Sequence, residues 1–412
     1  MDNHIVNAYL VLFIWQVQAN PKHILPVIVF AQFAGTSLWF AGNAVVDDLI
    51  AELNLLEMFV GFITMAVQSG FIIGTLVFAF INLADRFSPV KVFLFCSLAG
   101  ALANLTAIWS TNFTEIMFAR LATGFFLAGI YPVGMKIASD WHKEGLGKAL
   151  GYLVGALVLG TAFPHLLKYS GSSFSWHSVI IGTSILASFG GILLFLTVKD
   201  GPNRQKNSNS KIEVRAILEL FKIPNFRSAA FGYFGHMWEL YTFWAFVPIM
   251  LAYYLATNEL ESISISLWAF IIIGIGGVGC AIGGHLSLGN RSKQVAIVSL
   301  VISGLCCLVL PFLFSAPIVV FLLVMLIWGI FVIPDSPQFS TLVAQSSPSE
   351  YVATGLTIVN SLGFALTIVS IQLVNLIWSA NSNPMVFLIM LVGPVLGLLA
   401  ISRYKQEVNE YF

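Results

Sequence analysis

The stretch Gly235-His236-Met237-Trp238-Glu239-Leu240-Tyr241 places a histidine and a glutamate three residues apart in an otherwise apolar and aromatic run. On a helix that spacing puts both groups on one face. A histidine changes charge near neutral pH, and beside a carboxylate it can hold or pass one proton. Trp238, Tyr241 and Trp244 add aromatic surfaces against which a cargo molecule could lie. The plainer alternative is a mutually satisfied pair that locks helix packing. A lone His-x-x-Glu without a partner motif does not make a metal site, and no metal or other cofactor is expected.

Three further places in apolar runs carry polar chemistry. Arg120 lies about seven residues into its segment, about 10 Å deep at roughly 1.5 Å per residue. An arginine at that depth needs water, a partner or a substrate, so it is a candidate for anion binding or proton relay. Snorkelling or a pair with Glu115 is its structural alternative. Gln32, Thr36, Trp39 and Asn43 recur at helical spacing in the first long apolar segment, which gives them one face. In Ile333-Pro334-Asp335-Ser336-Pro337-Gln338, Pro334 and Pro337 interrupt the backbone ladder. Asp335 there is a gate or second protonation candidate, or a cap for the helix that restarts at Pro337. Tyr131-Pro132 is the corresponding bend in the other half of the chain.

The elements that must position these groups are membrane spans. The chain has 412 residues, 58% hydrophobic and 9% charged, where a soluble domain carries about 25% charged residues. Twelve long apolar segments run near 24–46, 58–82, 90–109, 114–138, 146–167, 177–198, 227–256, 265–287, 294–314, 317–344, 352–378 and 384–402. Each is long enough for a tilted helical span, and none alternates like a barrel strand. Cys96, Cys280, Cys306 and Cys307 all fall in these runs and read as packed thiols. Residues 5–17 are too short to span and lack signal-peptide features, and read as an interfacial or frayed extension. The net charge of zero gives no case for a nucleic-acid partner.

Lysine and arginine set the expected orientation. An inside N-terminus places Lys22, Arg86, Lys91, Lys136, Lys143, Lys148, the 199–227 run, Arg291, Lys293, Arg403 and Lys405 on the inner side, and Lys168 alone on the outer. Asp47, Asp48, Glu52 and Glu57 make the first outer loop acidic. Both termini are expected in the cytoplasm, in a membrane of the bacterial inner type.

Residues 199–226 form the one long polar stretch, with a short amphipathic helix expected over 211–222. It divides the chain into an extension (1–23), a first six-helix bundle (24–198), the linker (199–226), a second bundle (227–402) and a tail (403–412). The halves echo each other. Gly35-Thr36-Ser37-Leu38-Trp39 answers Gly235-His236-Met237-Trp238-Glu239, Gly129-Ile130-Tyr131-Pro132 answers Gly329-Ile330-Phe331 with Pro334 following, and Arg86-Phe87-Ser88 answers Arg291-Ser292. With that repeat, the face of Gln32, Thr36, Trp39 and Asn43 should look across a central cavity at His236 and Glu239. Two such halves around a midplane site are a transporter layout.

In this organisation the chain resembles the major facilitator superfamily from about residue 24 to 402. Leu83-Ala84-Asp85-Arg86-Phe87-Ser88-Pro89-Val90-Lys91 is similar to the family's Asp-Arg loop motif, with Ile81 and Ser88 where glycines are usual, and Arg120-Leu121-Ala122-Thr123-Gly124 is similar to its arginine motif. The resemblance implies an all-α fold of twelve transmembrane helices in two pseudo-symmetric six-helix bundles. It also implies a cytoplasmic latch at Asp85, Arg86 and Lys91. The fifth segment has Gly151, Gly155, Gly160 and Pro164 but not the Gly-Pro-x-x-Gly-Gly ending of many drug antiporters, and the glycine-rich signature of nitrate transporters is missing. No GxxxxGK[ST] stretch supports ATP-driven pumping. The expectation is a non-enzymatic, monomeric secondary transporter that moves a small-molecule substrate, a polar metabolite or organic ion, with protons and within the lipid bilayer. A drug or metabolite efflux antiporter and a non-transporting membrane sensor are the alternatives.

Overall fold

A computed structural model describes residues 22–55, 59–81, 83–142, 146–171, 175–204, 214–260, 263–289, 291–348 and 351–405. The expected N-terminal extension up to residue 21, linker residues 205–213 and the tail from 406 lie outside the described residues.

The helices of the first half are α1 (Ile24–Thr36), α2 (Ala41–Ala44), α3 (Val46–Leu53), α4 (Phe59–Phe80), α5 (Leu83–Arg86), α6 (Pro89–Leu105), α7 (Phe113–Leu127), α8 (Tyr131–Trp141), α9 (Leu146–Ser170) and α10 (His177–Thr197). The linker contributes α11 (Val214–Lys222). The second half holds α12 (Pro224–Thr257), α13 (Ile265–Gly274), α14 (Gly276–Leu286), α15 (Ser292–Val309), α16 (Ile318–Phe331), α17 (Asp335–Gln345), α18 (Val352–Asn381) and α19 (Val392–Ser402). No strand occurs among the described residues. Eleven stretches of 19 to 34 residues are long and apolar enough to cross a membrane, and α1 is a shorter apolar helix.

Together these account for the twelve expected spans, the first of them opening with the shorter helix. The first segment stops as a helix at Thr36, and Ser37–Phe40 form turns before α2. The Thr36 hydroxyl donates to Gln32 O (2.8 Å), and the Ser37 hydroxyl to Ala34 O (2.7 Å). Such local bonds compete with helix continuation. Elsewhere the punctuation is conventional. Ser88 accepts from Lys91 N (3.3 Å) with Pro89 opening α6, and Asn112 accepts from Glu115 N (3.1 Å) at the start of α7. The fourth and tenth spans are also broken. Tyr131 and Pro132 open α8 after a turn at Ala128–Ile130, and Asp335 opens α17 after Val332–Pro334.

Within the first half, α4 packs on α7, α6 on α10, and α1 between α9 and α10. Within the second, α12 packs on α17, α18 and α19, and α15 on α16 and α17. The halves meet along two seams, α4 against α18 and α9 against α13 and α14. In the second seam a methyl added to Gly155 would lie 3.1 Å from Gly277 O, and one on Gly277 3.0 Å from Gly155 O. The two backbones therefore touch there, as helices in lipid do where small residues face each other.

Between the seams, an aromatic group joins the halves. The Trp39 ring lies 4.8 Å from Phe71, 5.7 Å from Tyr241 and 5.7 Å from Phe364, and Phe40 meets Trp244 edge-on at 6.2 Å. All six side chains are buried.

Candidate functional site

In the first half the functional side chains gather where the first span breaks. A helix that stops inside a bilayer leaves carbonyls without donors, and something in the protein must satisfy them. Here it is Arg120, fully buried on α7. Its Nη2 donates to Leu38 O (2.9 Å) and Trp39 O (2.6 Å), and its Nη1 to Asn104 Oδ1 (2.6 Å). Asn104 is held in turn, donating to Ile180 O (3.2 Å), Thr183 Oγ1 (3.2 Å) and Ser184 Oγ (3.0 Å) on α10. Glu115 does not reach Arg120. It accepts from Thr111 N (2.6 Å) and the Thr111 hydroxyl (3.2 Å) at the end of the span. The guanidinium thus makes its hydrogen bonds to neutral acceptors, and no carboxylate pairs with it among the described residues.

The break also scatters the four polar positions whose spacing placed them on one face. Periodicity carries across a continuous helix, and this one is interrupted between Thr36 and Ala41. Gln32 is buried against Gly134 of α8, where an added methyl would come within 2.1 Å of its Oε1. Thr36 lies against Gly160 of α9. Trp39 faces Tyr241 and Phe364 of the second half. Asn43 donates to Thr64 Oγ1 (2.6 Å) on α4.

In the second half, His236 and Glu239 share α12 but not a partner. His236 Nδ1 approaches Asp335 Oδ1 at 2.9 Å, both groups fully buried. Neither atom has an aligned hydrogen bond, so this is a close ionisable contact rather than a directed N–H···O bond. It links α12 to the first residue of the restarted helix α17. Glu239 faces α15 and α16 and accepts three bonds, from the Ser303 hydroxyl (3.0 Å), the Cys307 thiol (3.2 Å) and Trp328 Nε1 (2.6 Å). Three residues along a helix rotate a side chain by about 60° and raise it by about 4.5 Å, enough to hand it to a different neighbour. Of the aromatic residues near this pair, Tyr241 and Trp244 meet the first half, while Trp238 donates from Nε1 to Ile389 O (2.9 Å) beside the last span.

In the loop after α4, Arg86 and Lys91 are exposed, Asp85 belongs to α5, and the latch role expected of the Asp85 side chain lies outside the described residues. This loop is tied to the beginning of the linker. Ser88 donates to Asp200 Oδ1 (2.7 Å), and Arg204 bonds Asp200 Oδ2 (2.7 Å) and Phe87 O (2.6 Å).

The roles of Asn104, Ser303, Cys307 and Trp328 as partners, and of Thr64 and Gln68, are not among the expectations drawn from the sequence. One signal was present. Thr64 and Gln68, like Ser303 and Cys307, are polar or polarizable residues one helical turn apart inside apolar spans.

Comparison with known proteins agrees with this architecture. The family model described as Major Facilitator Superfamily matches residues 24–371. The nitrate/nitrite transporter NrtP of Picosynechococcus is 22% identical over 223 residues, 46% of this chain and 40% of that protein. An uncharacterized transporter of Buchnera aphidicola is 25% identical over 206 residues, 47% of this chain and 49% of that protein. The chain thus spans less than half the length of these curated relatives in the matched regions. Among solved structures, the human organic anion transporter TETRAN superimposes with a TM-score of 0.69 at 12% identity, covering 93% of this chain and 99% of that one. The Escherichia coli fucose:proton symporter FucP gives 0.66 at 14% identity, with 94% and 100% covered. A bacterial homolog of the human lysosomal transporter Spinster, inward-facing and occupied, gives 0.65 at 13%, with 94% and 96% covered. At such identities these structures speak for the fold alone. On the match over residues 24–371, this chain belongs to the Major Facilitator Superfamily.

Proposed function

We propose that this chain is a secondary active transporter that moves a small polar metabolite or organic ion across the cell membrane by alternating access, driven by protons and working as a monomer. The lysine and arginine distribution supports a bacterial inner-membrane orientation with both termini in the cytoplasm. Family membership and two bundles that touch along two seams support the rocking of one half against the other.

The observation that carries proton coupling is the buried His236–Asp335 contact at the restart of a broken span. Ionisable groups at membrane depth are expensive, and face partners or pathways. A proton arriving on this pair changes its charge, and with it the attraction between α12 and α17. That is a local electrostatic event with two states, the kind that can bias a larger rearrangement. Glu239 is a weaker choice for this role, because three donors already hold its carboxylate in place.

The test is transport in proteoliposomes of defined pH gradient. Asp335→Asn and His236→Gln should each abolish gradient-driven accumulation while leaving counterflow exchange. Undiminished accumulation in both variants would remove the pair from the coupling mechanism. Absence of flux for every solute in a broad metabolite screen would overturn transport itself.

A further inference from the structure

The break in the first span carries more than structural capping. Thr64, Gln68 and Phe71 fall on one face of α4, at successive helical turns. The Thr64 hydroxyl accepts from Asn43 (2.6 Å), and the Phe71 ring lies against Trp39 (4.8 Å). Gln68, between them, therefore faces the same break. It is fully buried, and neither its amide oxygen nor its amide nitrogen has a protein partner. Three more groups around the break share that condition, namely Trp39 Nε1, Asn43 Oδ1 and Arg120 Nε. A methyl added to Gly42 would lie 3.0 Å from Arg120 Nε, which places this N–H against α2, the helix that carries Asn43. Buried polar groups in native proteins are nearly always hydrogen-bonded. Four orphaned side chains around one turn mark a place built for a polar ligand.

Their chemistry specifies that ligand. Trp39 Nε1, Arg120 Nε and the Gln68 amide nitrogen offer N–H donors and call for oxygen acceptors. Asn43 Oδ1 and the Gln68 carbonyl call for a donor in return. Arg120 also brings a positive charge whose protein partners are neutral. One negative charge, two or more acceptor oxygens and at least one O–H fit this set. The Trp39 ring packs on Phe71 of its own half and on Tyr241 and Phe364 of the other, so the site borders the second bundle.

We infer that Gln68, Asn43, Trp39 and Arg120 form the substrate site, and that its ligand is a short hydroxylated monocarboxylate. This rests on the transport reading above and names its cargo class. A bare inorganic anion such as nitrate supplies no donor for Asn43 and Gln68, and a neutral polyol supplies no charge for Arg120.

The experiment is titration calorimetry of the purified full-length protein with L-lactate, glycolate, propionate, 1,2-propanediol and nitrate. Lactate and glycolate should bind, with propionate, propanediol and nitrate weaker by about tenfold or more, the loss expected for one charge-assisted hydrogen bond or more. Gln68→Glu is isosteric but repels an anion, and should weaken lactate by about tenfold or more with the ligand-free melting temperature retained. Should that variant fail to fold, Gln68→Met, neutral and of similar shape, carries the same expectation. Lactate and glycolate that do not bind, that bind no better than propionate, or that bind a folded Gln68 variant as tightly as the original chain would overturn the assignment. The two readings fail separately. Proton-driven flux of another solute without hydroxy-acid binding sinks the site and leaves transport standing. Hydroxy-acid binding without flux in proteoliposomes does the reverse.

Discussion

The two halves share a layout but bury opposite kinds of charge. Each breaks its fourth helix, at Tyr131 in the first half and Asp335 in the second. The first half buries a guanidinium at the end of an interrupted helix, where backbone carbonyls and Asn104 hold it. Arginine keeps its charge at all physiological pH, and its planar fork suits several fixed acceptors at once. The second half buries His236 against Asp335 and Glu239 among three neutral donors. Histidine and carboxylic side chains are of the types that can exchange a proton. A constant charge can hold a backbone and attract an anion, but it cannot report a proton gradient. The comparison teaches that the repeated fold buries a permanently charged side chain in one half and side chains of exchangeable type in the other.

The largest effect should come from removing the permanently charged side chain. Arg120→Leu leaves the Leu38 and Trp39 carbonyls and Asn104 without donors, a loss on the order of 3–5 kcal/mol. In detergent this should read as a large fall in melting temperature or as a protein that cannot be purified folded. Arg120→Lys keeps the charge but not the fork, and should lose about 1–3 kcal/mol. A Leu variant that melts with the original chain would break the comparison, since Arg120 would then not be holding the break.

Glu239 sharpens the other side. Glu239→Ala strands Cys307 and Trp328 as buried donors, leaves Ser303 only its longer bond to Leu300 O (3.4 Å), and should cost about 2–4 kcal/mol. Glu239→Gln keeps an acceptor and should cost about 1 kcal/mol, with proton-driven accumulation intact. If Glu239→Gln abolishes accumulation while Asp335→Asn spares it, the proton-exchanging group is Glu239. The smallest effect belongs to a charge pair at the surface. Lys168 meets Asp48 at 2.8 Å with both side chains partly exposed, and Lys168→Ala should shift stability by less than about 1 kcal/mol.

Much of the architecture was readable along the chain because spans obey local rules. A run of apolar residues long enough to cross a bilayer has few other options. Ser88-Pro89 announced the start of α6, and Pro132 and Pro334 announced the interrupted helices. The break at Ser37–Phe40 was harder to see. Gly35, Thr36 and Ser37 are tolerated in many membrane helices, and stopping one there depends on an arginine more than eighty positions later that donates to the loose carbonyls. The single face drawn through Gln32, Thr36, Trp39 and Asn43 failed for the same reason.

Composition and periodicity thus settled that this chain lives in a membrane, that it divides into two echoing halves, and that a few ionisable groups lie at depth. Spacing along one helix sets the angle between two side chains, and so it identified His236 and Glu239 as neighbours in direction. It carries no information about which helix stands opposite each of them. The packing of α15, α16 and α17 around α12 made that choice, giving Glu239 donors 64, 68 and 89 positions away and giving His236 to Asp335. It also left Gln68, a residue with no local distinction, as one of the orphaned polar groups at the centre of the first half.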